Sequence, residues 1–221
     1  MNIAIIPARK SSKRIKDKNI INFFGKPIIG TTIELVKNTE IFNKIIVSSD
    51  SKKILSISKK YGADTYLRNK NLSGDKTPII DVIKDVLIKR EIKTCNVFYF
   101  YPTSVFIKKK YLLDCLKLIQ KKNIMVLSIL EYSHPIERSL IMNSKNEVKF
   151  KYKKNIFKQT QYFKKSYYDA GQFGAANINY FLNQNKKTKK IIGYILNEHQ
   201  ACDIDNLKDL EKAKFIFKNR K

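Results

Sequence analysis

Apolar residues along the chain follow two patterns: short continuous runs, and longer segments in which apolar positions recur every three or four residues. The runs predict buried strands and the spaced segments predict helices. Predicted strands cover 2–6, 44–47, 65–67, 97–101, 125–130 and 191–196; predicted helices cover 28–36, 52–61, 79–88, 111–119 and 207–217. Their alternation indicates βαβ units around a mostly parallel sheet, which is an α/β fold.

Residues from about 133 to 163 interrupt this alternation. They contain lysine-rich turns and short alternating runs such as Glu147–Tyr152. A chain of 221 residues suits one domain with a substantial core. We therefore expect a single domain over 1–221 that carries a small β-rich insertion at about 133–163.

The charge of the chain is strongly positive, with 45 Lys and Arg against 19 Asp and Glu, a net charge of +26. Such a charge attracts polyanions, so a basic nucleic-acid-binding protein is an alternative of a different class. The lysines are spread over the whole chain, however, and no zinc-finger spacing or RNA-binding signature occurs. We expect no nucleic-acid partner.

The three cysteines, Cys95, Cys115 and Cys202, lie far apart without metal-ligand spacing, which is typical of a reduced cytoplasmic protein. The first apolar stretch ends at Pro7, too short for the core of a signal peptide. No segment approaches the ~20 apolar residues that cross a bilayer. We expect a cytoplasmic protein without a membrane partner.

The loop after the first predicted strand holds six Lys or Arg between Arg9 and Lys18. In open α/β sheets, ligands bind at the carboxyl ends of the strands, so this loop is placed to hold a polyanion such as a triphosphate. Charge alone also fits a solvated basic turn. The loop lacks the Walker A pattern and the dinucleotide-binding glycine fingerprint.

Four motifs then resemble one family: Ile6-Pro7-Ala8-Arg9, Ser12-Lys13-Arg14-Ile15, Lys18-Asn19 and Gly25-Lys26-Pro27. They are similar to the N-terminal signature of the sialic-acid-type (acylneuraminate) cytidylyltransferases, which couple CTP to nine-carbon keto-sugar acids. The stretches Pro135–Leu140 and Tyr168–Phe173 resemble the members of that family that act on pseudaminic acid. The resemblance extends from the first strand to the last helix.

This resemblance implies a Rossmann-like, three-layer αβα nucleotidyltransferase fold and a homodimer formed through the 133–163 insertion. It implies that CTP and a nonulosonic acid, pseudaminic acid first, give the CMP-sugar and diphosphate. N-acetylneuraminic and legionaminic acid remain open as alternative substrates. An inactive homologue is a further alternative, because the chain departs from the family at two places. Lys10-Ser11 replaces the usual glycines, so a different loop shape is expected, and in Gln159–Phe163 only Gln161 matches the family.

The resemblance also assigns site residues. The catalytic candidates are Arg9, Lys18, Asp203 and Asp205. The CTP-binding candidates are Ala8, Arg9, Ser12, Lys13, Arg14, Lys18, Asn19, Arg68 and Thr77. The candidates for the sugar are Arg138, Gln161, Tyr168, Asp169 and Gln172.

Asp203-Ile204-Asp205 is the predicted metal site. Alternate residues of an extended segment face the same side, so the two carboxylates can share a divalent ion. Magnesium takes one or two carboxylates and completes its shell with phosphate oxygens and water. An Asp-x-Asp before a helix is otherwise a typical capping feature; the family resemblance favours Mg²⁺ here.

Overall fold

The computed structural model describes residues 1–120, 124–183, 190–199 and 201–219. The strands are β1 (Asn2–Pro7), β2 (Asn22–Phe23), β3 (Lys26–Pro27), β4 (Lys44–Ser49), β5 (Asp64–Leu67), β6 (Asn96–Phe100), β7 (Ile124–Glu131), β8 (Leu140–Met142), β9 (Val148–Phe150), β10 (Tyr167–Asn177) and β11 (Lys190–Ile195). The helices are α1 (Ile28–Asn38), α2 (Lys52–Lys60), α3 (Ile79–Lys89), α4 (Lys109–Leu118), α5 (Ile178–Leu182) and α6 (Leu207–Asn219). The predicted elements are all present, with ends shifted by at most three residues.

A seven-stranded sheet in the order β11-β7-β10-β6-β1-β4-β5 forms the centre of the molecule. Strands β6, β1, β4 and β5 run parallel to one another, and β11 runs parallel to β7. Only β10 is antiparallel within the described sheet, and it lies between β6 and β7. The predicted mostly parallel α/β sheet is confirmed, whereas β10 and the short α5 were not predicted.

Side chains of β1 show how helices cover both faces of the sheet. Ile3 and Ile5 are fully buried in one apolar cluster, which also contains residues of α3 and α5. Ala4 and Ile6 are fully buried in a second cluster, with residues of α1, α2, α4 and α6. Because neighbouring strand residues point to opposite faces, the near-continuous apolar run of β1 is required by a sheet with helices on both sides. The result is three layers, helix, sheet and helix.

The loop from Arg9 to Lys18 bends without the glycines of the family that the chain resembles. Neither Lys10 nor Ser11 has a positive φ; the left-handed residue of this loop is Asp17, with φ 54°. Asp tolerates this conformation better than most residues. The loss of glycine freedom at Lys10-Ser11 is therefore compatible with the observed loop.

The 133–163 segment contains a two-stranded antiparallel hairpin, β8–β9, which is not hydrogen-bonded to the central sheet. Arg138 stabilises this lobe through contacts within it. Its guanidinium donates to the carbonyls of Asn155 and Ile156 and lies 5.1 Å from the centre of the Phe150 ring. The segment thus contains one short β-hairpin and otherwise consists of turns and short 3-10 helices. Across the described residues, no helix is both long enough and apolar enough to cross a membrane.

Candidate active site

A cavity of about 680 Å³ opens where the parallel strands β1, β5 and β6 end. Charged and polar side chains from the loop after β1, the loop after β5, the start of β10 and the segment before α6 converge on it. Five cationic and four acidic side chains line the cavity: Arg9, Lys13, Arg14, Lys18, Arg68, Asp75, Asp169, Asp203 and Asp205. Residues more than 190 positions apart thereby share one site.

The first half of the cationic loop is paired with the loop that follows β5. Arg9 and Lys13 both bind the carboxylate of Asp75, and Lys13 Nζ lies 2.5 Å from Asp75 Oδ2. These two cations lower the pKa of Asp75, Lys13 having the larger effect. Such half-exposed ion pairs are weak and exchange readily with a better anion. A triphosphate can therefore replace Asp75 as their partner.

The second half of the loop is paired with the segment before α6. Arg14 Nη2 lies 2.7 Å and Lys18 Nζ lies 3.2 Å from Asp205 Oδ1. Lys18 Nζ also donates to the carbonyl of Ile204 at 2.7 Å. These contacts join the two predicted halves of the site, the cationic loop and the Asp-Ile-Asp segment, directly.

Helix α6 does not need Asp205 as its cap. Asn206 Oδ1 accepts from the backbone N–H of Asp209, and Asp209 Oδ2 accepts from the backbone N–H of Asn206 at 2.9 Å. This is a reciprocal capping box. Asn206 and Asp209, and not Asp205, therefore cap the helix. The carboxylates of Asp203 and Asp205, on either side of the fully buried Ile204, face the cavity.

Asp203 is a carboxylate in an unfavourable environment for its charge. Burial, followed by the neighbouring charge of Asp205, raises its pKa to about 6. The carboxyl group packs against Gly171, which has φ 63°. A side chain at that position would come within 2.6 Å of Asp203 Cγ, so only glycine leaves room for the carboxylate.

The donor chemistry of Asp203 and Asp205 fits a divalent ion. Two carboxylates that face one cavity and repel each other are stabilised by a shared cation. Among the residues described, no group of three or more His, Cys, Asp or Glu side chains could hold a metal. The remaining ligands of an ion bound here would have to be phosphate oxygens and water.

The predicted nucleotide residues surround the same cavity. Arg68 is 6% exposed, and its guanidinium donates to the Ser48 carbonyl at 2.6 Å and to Ser48 Oγ at 3.2 Å. Burial lowers the pKa of Arg68. Asn19 Nδ2 donates to the Arg9 carbonyl at 2.8 Å and so fixes the cationic loop. Ser12 and Thr77 also line the cavity.

Ala8 is fully buried, and its backbone N–H donates to the Ser48 carbonyl at 2.8 Å. It joins β1 to β4 behind the cavity and does not line it.

Of the five predicted sugar residues, only Asp169 lines the cavity. Gln172 is fully buried: its amide donates to the carbonyls of Cys202 and Ala170 and accepts from the backbone N–H of Phe106. It supports the floor of the site and is not exposed to a ligand. Tyr168 instead packs on Tyr132, with ring centres 4.8 Å apart.

Arg138 and Gln161 lie in the 133–163 lobe, outside the lining of the cavity in this chain. The Arg138 guanidinium donates a hydrogen bond to a backbone carbonyl of that lobe. Gln161 is exposed, and its side-chain amide donates to Gln159 Oε1 at 3.0 Å.

Tyr101 and Gly171 are among the lining residues to which the sequence assigned no role. A signal existed for Tyr101, because it is the last residue of a predicted buried strand and is followed by Pro102. No pattern in the sequence indicated that Gly171 and Asp203 would touch. That contact depends on the antiparallel insertion of β10 between β6 and β7.

Sequence comparisons with known proteins all find cytidylyltransferases. A family model described as "Cytidylyltransferase" matches residues 3–221. A pseudaminic acid cytidylyltransferase of Campylobacter jejuni is 34% identical over 98% of this chain and 96% of that protein. An N-acylneuraminate cytidylyltransferase of Escherichia coli is 30% identical over 96% of this chain and 51% of its own length.

Among solved structures, a CMP:2-keto-3-deoxy-manno-octonic acid synthetase complexed with CTP aligns with a TM-score of 0.70 at 12% identity. The alignment covers 100% of this chain and 99% of that one. At this identity the similarity shows the shared fold, and it confirms the nucleotidyltransferase architecture predicted from the sequence.

Proposed function

The chain belongs to the cytidylyltransferase family, and from that premise we propose that it activates a nonulosonic acid, pseudaminic acid first among them, with CTP. A hydroxyl of the sugar loses its proton to solvent and its oxygen attacks the α-phosphorus of CTP; an ester bond forms, and the bond to the β-phosphate breaks to release diphosphate. The observation that carries this proposal is the convergence of four loop cations and the Asp203–Asp205 pair on one cavity.

The cationic loop binds the triphosphate. Negative charge on the phosphate oxygens grows and moves toward the leaving diphosphate as the bond breaks, and fixed cations stabilise that change. Lys18 is held by the Ile204 carbonyl and Asp205, which makes it the most firmly oriented of these cations. Arg9, Lys13 and Arg14 exchange their carboxylate partners for phosphate oxygens.

Asp203 and Asp205 would hold Mg²⁺, which supplies Lewis-acid stabilisation of phosphate charge when bound. The chain's own contribution is to keep the two carboxylates beside the cationic loop, through Lys18 and Arg14 on one side and Gly171 on the other. Arg68 and Thr77 are proposed to contact the cytosine, and Asn19 to keep the loop in place.

The test is diphosphate release by the purified protein with CTP, Mg²⁺ and a panel of pseudaminic, N-acetylneuraminic and legionaminic acids. We expect release that requires both CTP and sugar acid, with the highest kcat/KM for pseudaminic acid. A higher kcat/KM with another acid would replace the assigned sugar, and no turnover with any acid would refute the activity. A nucleic-acid-binding protein would release no diphosphate under these conditions.

We further propose a homodimer formed through the 133–163 lobe. Leu140, Ile141, Met142 and Val148 on the β8–β9 hairpin are each about half exposed or more, at 52%, 46%, 63% and 59%. Leu140, Met142 and Val148 lie on one face of the hairpin, because Met142 is paired with Val148 and strand residues alternate faces. A two-stranded hairpin is marginally stable by itself, and a contiguous exposed apolar surface is typical of an interface. A second copy of the chain would cover it.

Light scattering during size-exclusion chromatography tests the dimer. We expect Met142→Asp to give monomers. Ile88→Asp, on the exposed side of α3, is the matched control and should remain dimeric. A wild-type monomer at micromolar concentration would contradict this proposal.

A further inference from the structure

Three tyrosines in the described part of the chain donate a hydrogen bond from their hydroxyl to an aspartate. Tyr66 donates to Asp85 at 2.7 Å, Tyr194 to Asp114 at 2.9 Å, and Tyr101 to Asp169 at 2.9 Å. Of these pairs, only Tyr101 and Asp169 line the cavity. The other two pairs hold elements together elsewhere, so the same interaction occurs inside and outside the site.

Contacts with neighbouring residues fix the positions of both Tyr101 and Asp169. The backbone N–H of Tyr101 donates to the Gln172 carbonyl at 3.3 Å, and the Tyr101 ring packs edge-on against Tyr99. Asp169 Oδ1 accepts the backbone N–H of Gly171 at 2.8 Å, while Oδ2 accepts the Tyr101 hydroxyl. Each carboxylate oxygen thus has one fixed donor, and the orientation of the carboxylate is determined.

The pair presents only hydrogen-bond acceptors to a ligand. The hydroxyl proton of Tyr101 is directed to Asp169, and burial, followed by the neighbouring Tyr99 and Asp169, raises the pKa of Tyr101 so that the proton stays. The remaining lone pairs of the phenol oxygen and of the carboxylate all accept. Such a surface binds hydroxyl or amide N–H groups and repels phosphate and carboxylate groups.

The neighbourhood excludes the triphosphate as the partner of this pair. Gly171 joins the two aspartates, since its backbone N–H donates to Asp169 Oδ1 and its Cα packs against the Asp203 carboxyl group. The negative charge at this end of the cavity disfavours phosphate oxygens unless a cation intervenes. The sugar acid offers several hydroxyl and amide donors to this pair, whereas the nucleoside part of CTP, which also carries donors, is assigned to Arg68 and Thr77.

We propose that Tyr101 is a specificity-determining positioning residue for the sugar acid, which fixes the Asp169 carboxylate so that the pair accepts hydrogen bonds from sugar hydroxyl or amide N–H groups. This inference rests on the proposed cytidylyltransferase function. Tyr101 acts through Asp169, the predicted sugar residue that lines the cavity. A site built to accept from a substrate donor discriminates strongly against acids that lack the donor.

The experiment is steady-state kinetics of Tyr101→Phe, with the sugar acid varied at saturating CTP and CTP varied at saturating sugar acid. Phenylalanine keeps the ring that packs on Tyr99 and removes only the hydroxyl. We expect KM for the sugar acid to rise about tenfold, the effect of losing one hydrogen bond to a charged group. KM for CTP should stay within about twofold, because the cationic loop is untouched.

Tyr194→Phe is the matched control, since it removes a tyrosine–aspartate hydrogen bond of the same length outside the cavity. Neither KM should change in this variant. Asp169→Asn introduces a donor where an acceptor is required and should raise KM for the sugar acid at least as much as Tyr101→Phe does. The double variant should be no worse than Asp169→Asn alone, because Tyr101 acts through Asp169.

Substrate specificity distinguishes this role from a purely structural one, which would leave the preference among sugar acids unchanged. The ratio of kcat/KM for pseudaminic acid to that for N-acetylneuraminic acid should fall toward one in Tyr101→Phe. An unchanged KM for the sugar acid, or an equal rise in KM for CTP, would overturn the role of Tyr101. Asp169→Asn gives a second arm if Tyr101→Phe does not fold, and normal sugar kinetics in it would overturn the proposal. Absence of turnover in the wild type would instead refute the proposed function.

Discussion

Gly171→Ala tests the packing of the site at its tightest point. Gly171 has φ 63°, and an added Cβ would lie 2.6 Å from Asp203 Cγ and 2.9 Å from Asp203 Cβ. The substitution therefore has two separate effects. It strains the backbone, because a left-handed non-glycine residue costs about 1–2 kcal/mol, and it forces the Asp203 carboxylate away from its position beside Asp205.

The control for the backbone effect is Gly62→Ala. Gly62 follows α2 with φ 88°, and its added Cβ would meet only the flexible end of Lys37, at 3.3 Å. Gly62→Ala should lose about 1–2 kcal/mol of unfolding free energy and Gly171→Ala at least as much, which lowers Tm by about 2–4 °C per kcal/mol in a protein of this size. Differential scanning fluorimetry measures this shift.

Activity should separate the two variants. A displacement of about 1 Å in a catalytic group costs on the order of 100-fold in rate, which corresponds to about 2.7 kcal/mol of transition-state stabilisation. We expect kcat for diphosphate release to fall at least that much in Gly171→Ala and to remain near wild type in Gly62→Ala. A Gly171→Ala enzyme that is destabilised but turns over at the wild-type rate would refute the reasoning, since Asp203 could then move without consequence.

The remaining predictions concern single charged side chains. In the metal-free protein, the Asp203 carboxyl is protonated more readily when folded (pKa about 6 against 3.8), so its contribution to stability falls as pH rises through that interval. Asp203→Asn should therefore be more stable than wild type at pH 7, by up to about 3 kcal/mol, and this difference should shrink to less than about 1 kcal/mol near pH 4; urea unfolding at both pH values checks this. Lys18→Met should reduce kcat on the order of 100-fold with a small change in Tm. Asp75→Asn removes the carboxylate that binds Arg9 and Lys13, so KM for CTP should fall about two- to fivefold at low salt and converge with wild type at high salt.

Most of the fold was predictable because its elements obey strong local rules. Strands such as β1 and β6 are continuous apolar runs, and helices such as α3 carry apolar residues at helical spacing. Parallel neighbours end at the same edge of the sheet, so the cationic loop after β1 could be assigned to a ligand before any geometry was known. The predicted pairing of that loop with the Asp-Ile-Asp segment required the family resemblance in addition.

Strand β10 was missed for a physical reason. It is central and buried on both faces, so its apolar and polar residues do not alternate, and small residues replace the usual branched ones. Gly174, for example, leaves room for the ring of Tyr99. Hydrophobic periodicity therefore cannot predict a strand of this composition.

The same strand explains why the sugar residues were the hardest part of the site to assign. Because β10 is antiparallel, its beginning lies at the edge where the parallel strands end. Asp169 and Gly171 enter the cavity there, while Gln172 turns into the core. Adjacent residues in one motif thus have different environments, which a motif match alone cannot distinguish.

The charges that line the cavity, and not the net charge of the whole chain, determine which ligand binds there. The whole chain carries +26, yet the cavity is lined by five cationic and four acidic side chains, an excess of one positive charge. A general polyanion site would leave its cations unpaired, whereas here Asp75 and Asp205 occupy them. A triphosphate alone brings more negative charge than this excess can neutralise. A triphosphate that arrives with a divalent cation satisfies both halves of the cavity at once, because the cation neutralises the aspartates while the phosphates replace them as partners of the loop.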